Sequence, residues 1–295
     1  MKNSADKFHN SILKRKGIGI FDSGVGGLTV LKEIRRFLPD EDIFYLGDTA
    51  RVPYGNRSKD TIIKYSIQNT KFLLKFGIKL LVVACNTSSS VAIDTLRHEF
   101  KNLPIIGVIE PGSEQAIKTT KNKKIGVIGT RATIDSNSYK LAIKNLNHKI
   151  NIYQQACPLF VPIVEEGMHK TGFAYDIAKY YLLGLKKHNI DTLILGCTHY
   201  PVLSQVIKKV VGNNVKLINS GQAVALKVYE YLMKSDLLNI PNPPYKRSNA
   251  DNVKLHGKVK FFVTDAPLQF KRIGKLLLSH DIDNNIEKVV LDEYE

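Results

Sequence analysis

Gly17-Ile-Gly-Ile-Phe21, running into Asp22-Ser-Gly-Val-Gly-Gly27, decides how the rest of the chain is read. An apolar, β-rich run meets a glycine turn, and a helical pattern follows from Leu28 to Leu38, where Pro39 stops it. That order is the mark of a strand–turn–helix unit. Working outward, the unit recurs. Strands are expected at Ile43 to Leu46, Lys79 to Val83 and Pro104 to Val108, and helices from about Asp60 to Phe76 and from Ser89 to Phe100. Strands separated by helices of this length predict βαβ units and a parallel sheet.

The pattern then restarts. Lys124-Ile-Gly-Val-Ile-Gly-Thr130 echoes the opening stretch, with a helix beginning near Thr133 and a strand from Asp191 to Leu195. Cys85 follows the third strand of the first set, in Ala84-Cys-Asn-Thr87, and Cys197 follows a strand of the second, in Gly196-Cys-Thr-His199. The two Ile-Gly starts and the two cysteines are offset by nearly the same length of chain. The fold class predicted is α/β: two similar parallel-sheet domains from an internal duplication, with the active site at their interface. Ligands bind at strand C-terminal ends in open parallel sheets, which is where both cysteines fall. Residues 17–110 with a C-terminal segment of about 221–290 form the first domain, and 111–220 the second. Residues 1–16 form a basic, flexible, solvated tail. Pro241-Asn-Pro-Pro244 with Lys246 to Asp251 reads as a surface loop before a strand at Val259 to Val263.

Composition bounds the function. The chain has 295 residues, 43% hydrophobic and 24% charged, which suits two globular domains and excludes a disordered or fibrous chain. No apolar run approaches the roughly 18 residues of a membrane span. Met1 to Lys16 lacks a signal-peptide core, so a cytoplasmic location is expected. Forty-three Lys and Arg against 27 Asp and Glu give a net charge of +16. The lysines are scattered, with no basic stripe and no interleaved aromatics, so a solvated Lys-rich surface is expected rather than a nucleic-acid partner, with anion steering or a weak polyanion contact as the alternative. Three cysteines far apart make neither a disulfide framework nor a metal site.

The chemistry sits at the strand ends. Gly24-Val-Gly26-Gly27 is neither a dinucleotide fingerprint nor a phosphate-binding P-loop. Asp22 at the strand exit suits an ammonium group or acid–base work. Cys85 and Cys197 each precede short polar residues, and a helix N-terminus there favours thiolate. Two thiols on opposite sides of a ligand suit inversion at carbon, one removing a proton while the other delivers one. His199 and Asp22 are candidate proton partners, one for each thiol. Cys157, before Pro158, has no such counterpart and reads as structural.

At these residues the chain resembles glutamate racemase. The segments that carry the resemblance are Gly19 to Gly27, Tyr45-Leu-Gly-Asp-Thr-Ala-Arg-Val-Pro-Tyr-Gly55, Ala84 to Ser88, Cys157-Pro-Leu-Phe-Val-Pro162 with Glu165-Glu166, and Leu195-Gly-Cys-Thr-His-Tyr-Pro201. Val263-Thr-Asp265 with Phe270 is similar to the family's C-terminal signature. The resemblance implies a cofactor-independent two-base racemase that supplies D-glutamate for peptidoglycan, with no metal and no membrane partner. It implies Cys85 and Cys197 as the acid–base pair, assisted by Asp22 and by His199 with Glu165 or its neighbour Glu166 behind it. Substrate contacts carried over are Asp22, Ser23, Tyr54, Gly55, Asn86, Thr87, Thr130, Thr133, Thr198 and His199. It admits a homodimer. An aspartate racemase, or a non-catalytic binding protein such as a gyrase-inhibiting homologue, are the alternatives; retention of both cysteines argues against the second.

Overall fold

Buried β-branched runs build two parallel sheets in the computed structural model, which describes residues 13–239, 256–278, 282 and 286–294. The strands are β1 (Ile18–Asp22), β2 (Ile43–Gly47), β3 (Leu80–Val83), β4 (Ile105–Gly107), β5 (Lys124–Gly129), β6 (Asn151–Ala156), β7 (Thr192–Gly196), β8 (Lys216–Asn219), β9 (Val259–Val263) and β10 (Ile286–Lys288). One sheet runs β10-β9-β2-β1-β3-β4 and the other β6-β5-β7-β8. Inside them, β2-β1-β3-β4 and β6-β5-β7-β8 share one winding order, as a repeat requires. The order reverses beside β1 in the first sheet and beside β5 in the second, and ligands bind at such reversal points in open α/β sheets.

Alternation along each strand sorts side chains into layers. Ile18 and Ile20 of β1, Leu80 and Val82 of β3, Ile125 and Val127 of β5 and Ile194 of β7 face one shared core. The helices Leu28–Phe37, Ile109–Thr119, Ser138–Leu146 and Ser220–Lys234 fill that layer between the sheets. Leu81 and Val83 face a separate core on the outer side of the first sheet, and Leu193 and Leu195 one on the outer side of the second. No helix among the described residues is long and apolar enough to cross a membrane.

Three differences from the sequence reading have physical causes. The single helix expected from Ser89 to Phe100 is two, Asn86–Val91 and Ile93–Glu99, joined at Ala92. Serine hydroxyls there take backbone partners: Ser89 Oγ donates to the Val83 carbonyl at 2.8 Å, and Ser90 Oγ to that of Thr87 at 2.8 Å. The second sheet also has strands that no apolar pattern announced. β6 and β8 are edge strands carrying polar residues, the usual protection of an open edge.

The third difference concerns the N-terminal tail. Leu13 packs against the core, and Lys14 pairs with Asp236 at 2.8 Å. The Lys14 carbonyl also accepts from Lys79 Nζ at 2.9 Å, as does that of Leu237 at 2.8 Å. Lys79 is buried and pairs with the equally buried Glu41. A buried ammonium needs several acceptors, and the stretch at Lys14 supplies one. Residues 13–16 are therefore docked rather than solvated. Residues 1–12 and the expected loop at 241–251 lie outside the described residues.

Replacing Lys79 by Met strands the Glu41 carboxylate in the interior and is expected to cost about 3–5 kcal/mol. Lys14→Ala breaks only an exposed pair and should cost under about 1 kcal/mol. Urea unfolding midpoints of the two variants measure the contrast; equal losses would show that the buried pair is not the anchor.

Candidate active site

β1 and β3 lie side by side and end together, which brings Asp22 next to the turn that carries Cys85. Asp22 is fully buried. Gly24 N–H donates to its Oδ2 at 3.1 Å, and Thr198 Oγ1, from the second domain, donates to Oδ1 at 3.4 Å. Burial raises its pKa, against the lowering by His199 and these hydrogen bonds.

Cys85 caps the helix Asn86–Val91, but the expected bias towards thiolate does not result. Burial first, and the charge of Asp22 second, push its thiol up to about 11. The Ser88 N–H and the Ser23 hydroxyl pull the other way and lose. A helix of six residues offers little dipole against full desolvation.

Cys197, at the matching end of β7, has different company. No helix starts beside it: a 3₁₀ turn, Tyr200–Leu203, comes first, and the helix begins at Ser204. Its Sγ lies 3.9 Å from His199 Nδ1, and His199 Nε2 is 3.0 Å from Glu165 Oε1. Glu165 closes the helix Phe160–Glu165, while Glu166 points into solvent, so the ring meets the first of the two glutamates. Burial opposes a charge on His199 more than any single neighbour favours it. Its hydrogen bonds to Cys197 and Glu165, together with their charges, nonetheless raise it to about 10. Cys157 is buried in the outer core of the second sheet beside Phe160, and burial pushes its thiol well up.

Between the two strand ends the domains meet through hydroxyls. Thr87 Oγ1 lies 2.9 Å from Thr130 Oγ1 and 3.3 Å from Thr133 Oγ1, and the last two are 3.0 Å apart. Gly55 packs against Thr130. Thr29 Oγ1 donates to the Thr198 carbonyl at 3.0 Å. At Gly26 the approach is so close that a Cβ would stand 2.3 Å from Thr198 Oγ1 and 2.5 Å from His199 Nδ1. Only glycine fits there. The junction is narrow: Cys85 is 4% exposed and Cys197 7%. A cavity of about 650 Å³, lined in part by Thr29, His169, Pro201 and Leu277, includes none of the acid–base candidates.

Two expected contact residues have a polar atom engaged elsewhere. The Tyr54 hydroxyl donates to the Asp48 carboxylate and accepts from Asn69 Nδ2 at 3.1 Å, so Tyr54 braces its loop. Arg51 Nε completes the brace at 2.7 Å from Asp48. The Asn86 carbonyl oxygen accepts from Tyr139 at 2.7 Å. Asp48, Arg51 and Tyr139 had no role in the sequence reading. The three-residue spacing of Asp48 and Arg51 is a signal for the first two; Tyr139 carries none, because one aromatic on a helix reads as core.

Residues 22–228 match the model of the Asp/Glu/Hydantoin racemase family. The chain belongs to that family. It aligns with its glutamate racemase relatives over nearly its whole length. It is 49% identical over 276 residues to a glutamate racemase of Persephonella marina, covering 94% of this chain and 98% of the relative. Among solved structures, a glutamate racemase isoform of Bacillus anthracis superposes with a TM-score of 0.86 at 41% identity, over 94% and 98% of the two chains. A glutamate racemase of Francisella tularensis in complex with D-glutamate gives 0.86 at 39%, over 96% and 100%.

The raised pKa of His199 makes a stability prediction. A group whose folded pKa exceeds its unfolded value, about 6.5 for histidine, stabilises fully below that value and loses the effect as pH rises through the folded one. The stability gap between wild type and His199→Asn should therefore be widest below about pH 6.5, narrow as pH rises from there, and reach a constant remainder above about pH 10. Urea midpoints across that range measure it; a flat gap would mean that His199 is neutral in the folded protein.

Proposed function

We propose that this racemase interconverts L- and D-glutamate through the two thiols of Cys85 and Cys197, without a cofactor. One observation carries the reading: two cysteines hold the same station in two sheets of the same winding, in opposite electrostatic settings. Beside Cys197 stands a histidine that favours its charged form, the natural partner of a thiolate. Cys85 is held protonated by its burial first and by the charge of the buried aspartate beside it second. One base and one acid are what inversion requires at the start of a turnover.

For L-glutamate, the Cys197 thiolate takes the α-proton as the Cα–H bond breaks and an S–H bond forms. Cys85 gives its proton to the other face of the carbanion-like centre, its S–H bond breaking as the new Cα–H bond forms. D-Glutamate leaves, and Cys85 is then the thiolate. For D-glutamate the roles exchange. His199, backed by Glu165, handles protons on the Cys197 side, and Asp22 does so on the Cys85 side. Ser23, Asn86, Thr87, Thr130, Thr133 and Thr198, with Tyr54 and Gly55 through their loop, are the proposed substrate contacts. Hydroxyl and amide donors hold carboxylates and the developing negative charge while the closed junction excludes water. The proposed setting is the cytoplasm, where thiols stay reduced, and the proposed use of D-glutamate is peptidoglycan synthesis.

Circular dichroism of the protein with L-glutamate and no added cofactor should show decay of optical activity to zero, and L-aspartate should give no decay. In heavy water, early D-glutamate should carry deuterium at Cα while recovered L-glutamate stays nearly free of it. Cys85→Ala and Cys197→Ala should each abolish racemisation, and Cys157→Ala should keep it, with a packing cost of about 1 kcal/mol. Near-normal turnover by either folded Cys85→Ala or Cys197→Ala, or retained hydrogen in early D-glutamate, would sink the two-thiol reading.

A further inference from the structure

Tyr139 is the second residue of the helix Ser138–Leu146 and is 1% exposed. Its hydroxyl crosses to the other domain and donates to Asn86 Oδ1 at 2.7 Å. It also sits 3.1 Å from Ser220 Oγ, at the start of the helix Ser220–Lys234 that returns the chain to the first sheet. Ser220 Oγ in turn reaches the Leu195 carbonyl in β7 at 3.4 Å. The ring is wedged against backbone: a Cβ on Gly196 would stand 3.1 Å from its Cε2, and one on Gly112 3.4 Å from its Cε1. Asn86 directly follows Cys85, and Gly196 directly precedes Cys197. One side chain thus touches a residue flanking each thiol.

We propose that Tyr139 is a positioning residue for racemisation, one that orients the Asn86 amide and fixes the separation of the Cys85 and Cys197 strand ends. The proposal rests on the two-thiol reading above. A phenyl ring has only two rotatable bonds, and this one is gripped on both edges, so it transmits position with little slack. Burial raises the pKa of the phenol, more than its bond to Ser220 lowers it, so the hydroxyl stays a donor throughout the working range. That donor stands 2.7 Å from Asn86 Oδ1, and the carbonyl oxygen is the end of the amide that can accept it. Its NH₂ is then the half turned over to substrate, where it meets carboxylate oxygen. Two-base inversion is unusually sensitive to such placement. The α-carbon must lie in reach of both sulfurs, so displacing either strand end slows proton removal or delivery.

Tyr139→Phe keeps the ring and removes only the hydroxyl. Its kcat/KM should fall about tenfold, the loss of one positioning hydrogen bond, with a raised KM for glutamate. The fall should be equal from L- and D-glutamate, because the enantiomers have equal free energy in water. In an Asn86→Ala background the same change should cost less than about twofold, because the group it orients is gone. Ser220→Ala, which removes the hydroxyl's other partner from outside the site, should raise KM in the same sense by about two- to threefold. Wild-type KM in both folded variants would overturn the proposal. So would a tenfold loss that persists undiminished in the Asn86→Ala background, since that marks a packing residue. If Tyr139→Phe fails to fold, a cycle of Ser220→Ala with Asn86→Ala makes the same comparison, and additivity there overturns the proposal. Cys85→Ala and Cys197→Ala, assayed alongside, separate the two claims. Activity in either sinks the two-thiol reading, whereas inactivity in both with an unimpaired Tyr139→Phe sinks only the role of Tyr139.

Discussion

At Gly26 the first domain presents bare backbone to the Thr198 and His199 side chains of the second, with no room for even one added carbon. Much of the junction depends on that approach. It lets Thr198 reach Asp22, lets Thr29 hold the Thr198 carbonyl, and brings Thr87 within hydrogen-bond distance of Thr130 and Thr133. A bulkier turn after β1 would separate the domains and wet the junction. The Thr198–Asp22 contact joins the neighbour of one cysteine to the carboxylate beside the other, so the domain approach and the surroundings of the two thiols are one constraint.

Two cysteines at matching stations would behave alike if the fold alone set their chemistry. Their neighbours make the difference. Cys85 is buried beside Asp22, and desolvation and like charge act in the same direction on its thiol. His199 is as deeply buried, yet it contacts Cys197 and Glu165, and the two together outweigh the cost of desolvating its charge. A repeated scaffold therefore gives the two thiols the unsymmetrical settings that the proposed acid–base pair needs, because the loops after β1 and β7 differ, one carrying an aspartate and the other a histidine.

Much of this was legible in sequence because it lies in local pattern. β1, β3, β5 and β7 are apolar runs broken by glycine or a short polar turn, and each cysteine sits one or two residues beyond such a run. The edge strands β6 and β8 were hidden because an edge tolerates Asn, Gln and Lys. The broken helix after Cys85 was hidden because serine hydroxyls act on the backbone in three dimensions. The electrostatic setting of Cys85 was misjudged for a similar reason. A helix N-terminus is visible in sequence, whereas full burial beside Asp22 exists only once β1 and β3 are paired. Tyr139 is the extreme case: its partners Asn86 and Ser220 lie far away on either side along the chain, and no local pattern links the three.

The chain's net charge is +16, most lysines among the described residues are at least partly exposed, and none of the proposed substrate contacts is Lys or Arg. That separation has a chemical logic. A field of surface lysines draws in an anion at long range, while the junction receives it with hydroxyls and amides. A lysine between the sulfurs would also bind carboxylate, but it would stabilise the thiolate form of both cysteines. With both charged there would be a base on each face and no acid to finish the inversion. Neutral donors avoid this: they hold the substrate and leave the protonation of each thiol to its own neighbour, Asp22 on one side and His199 on the other.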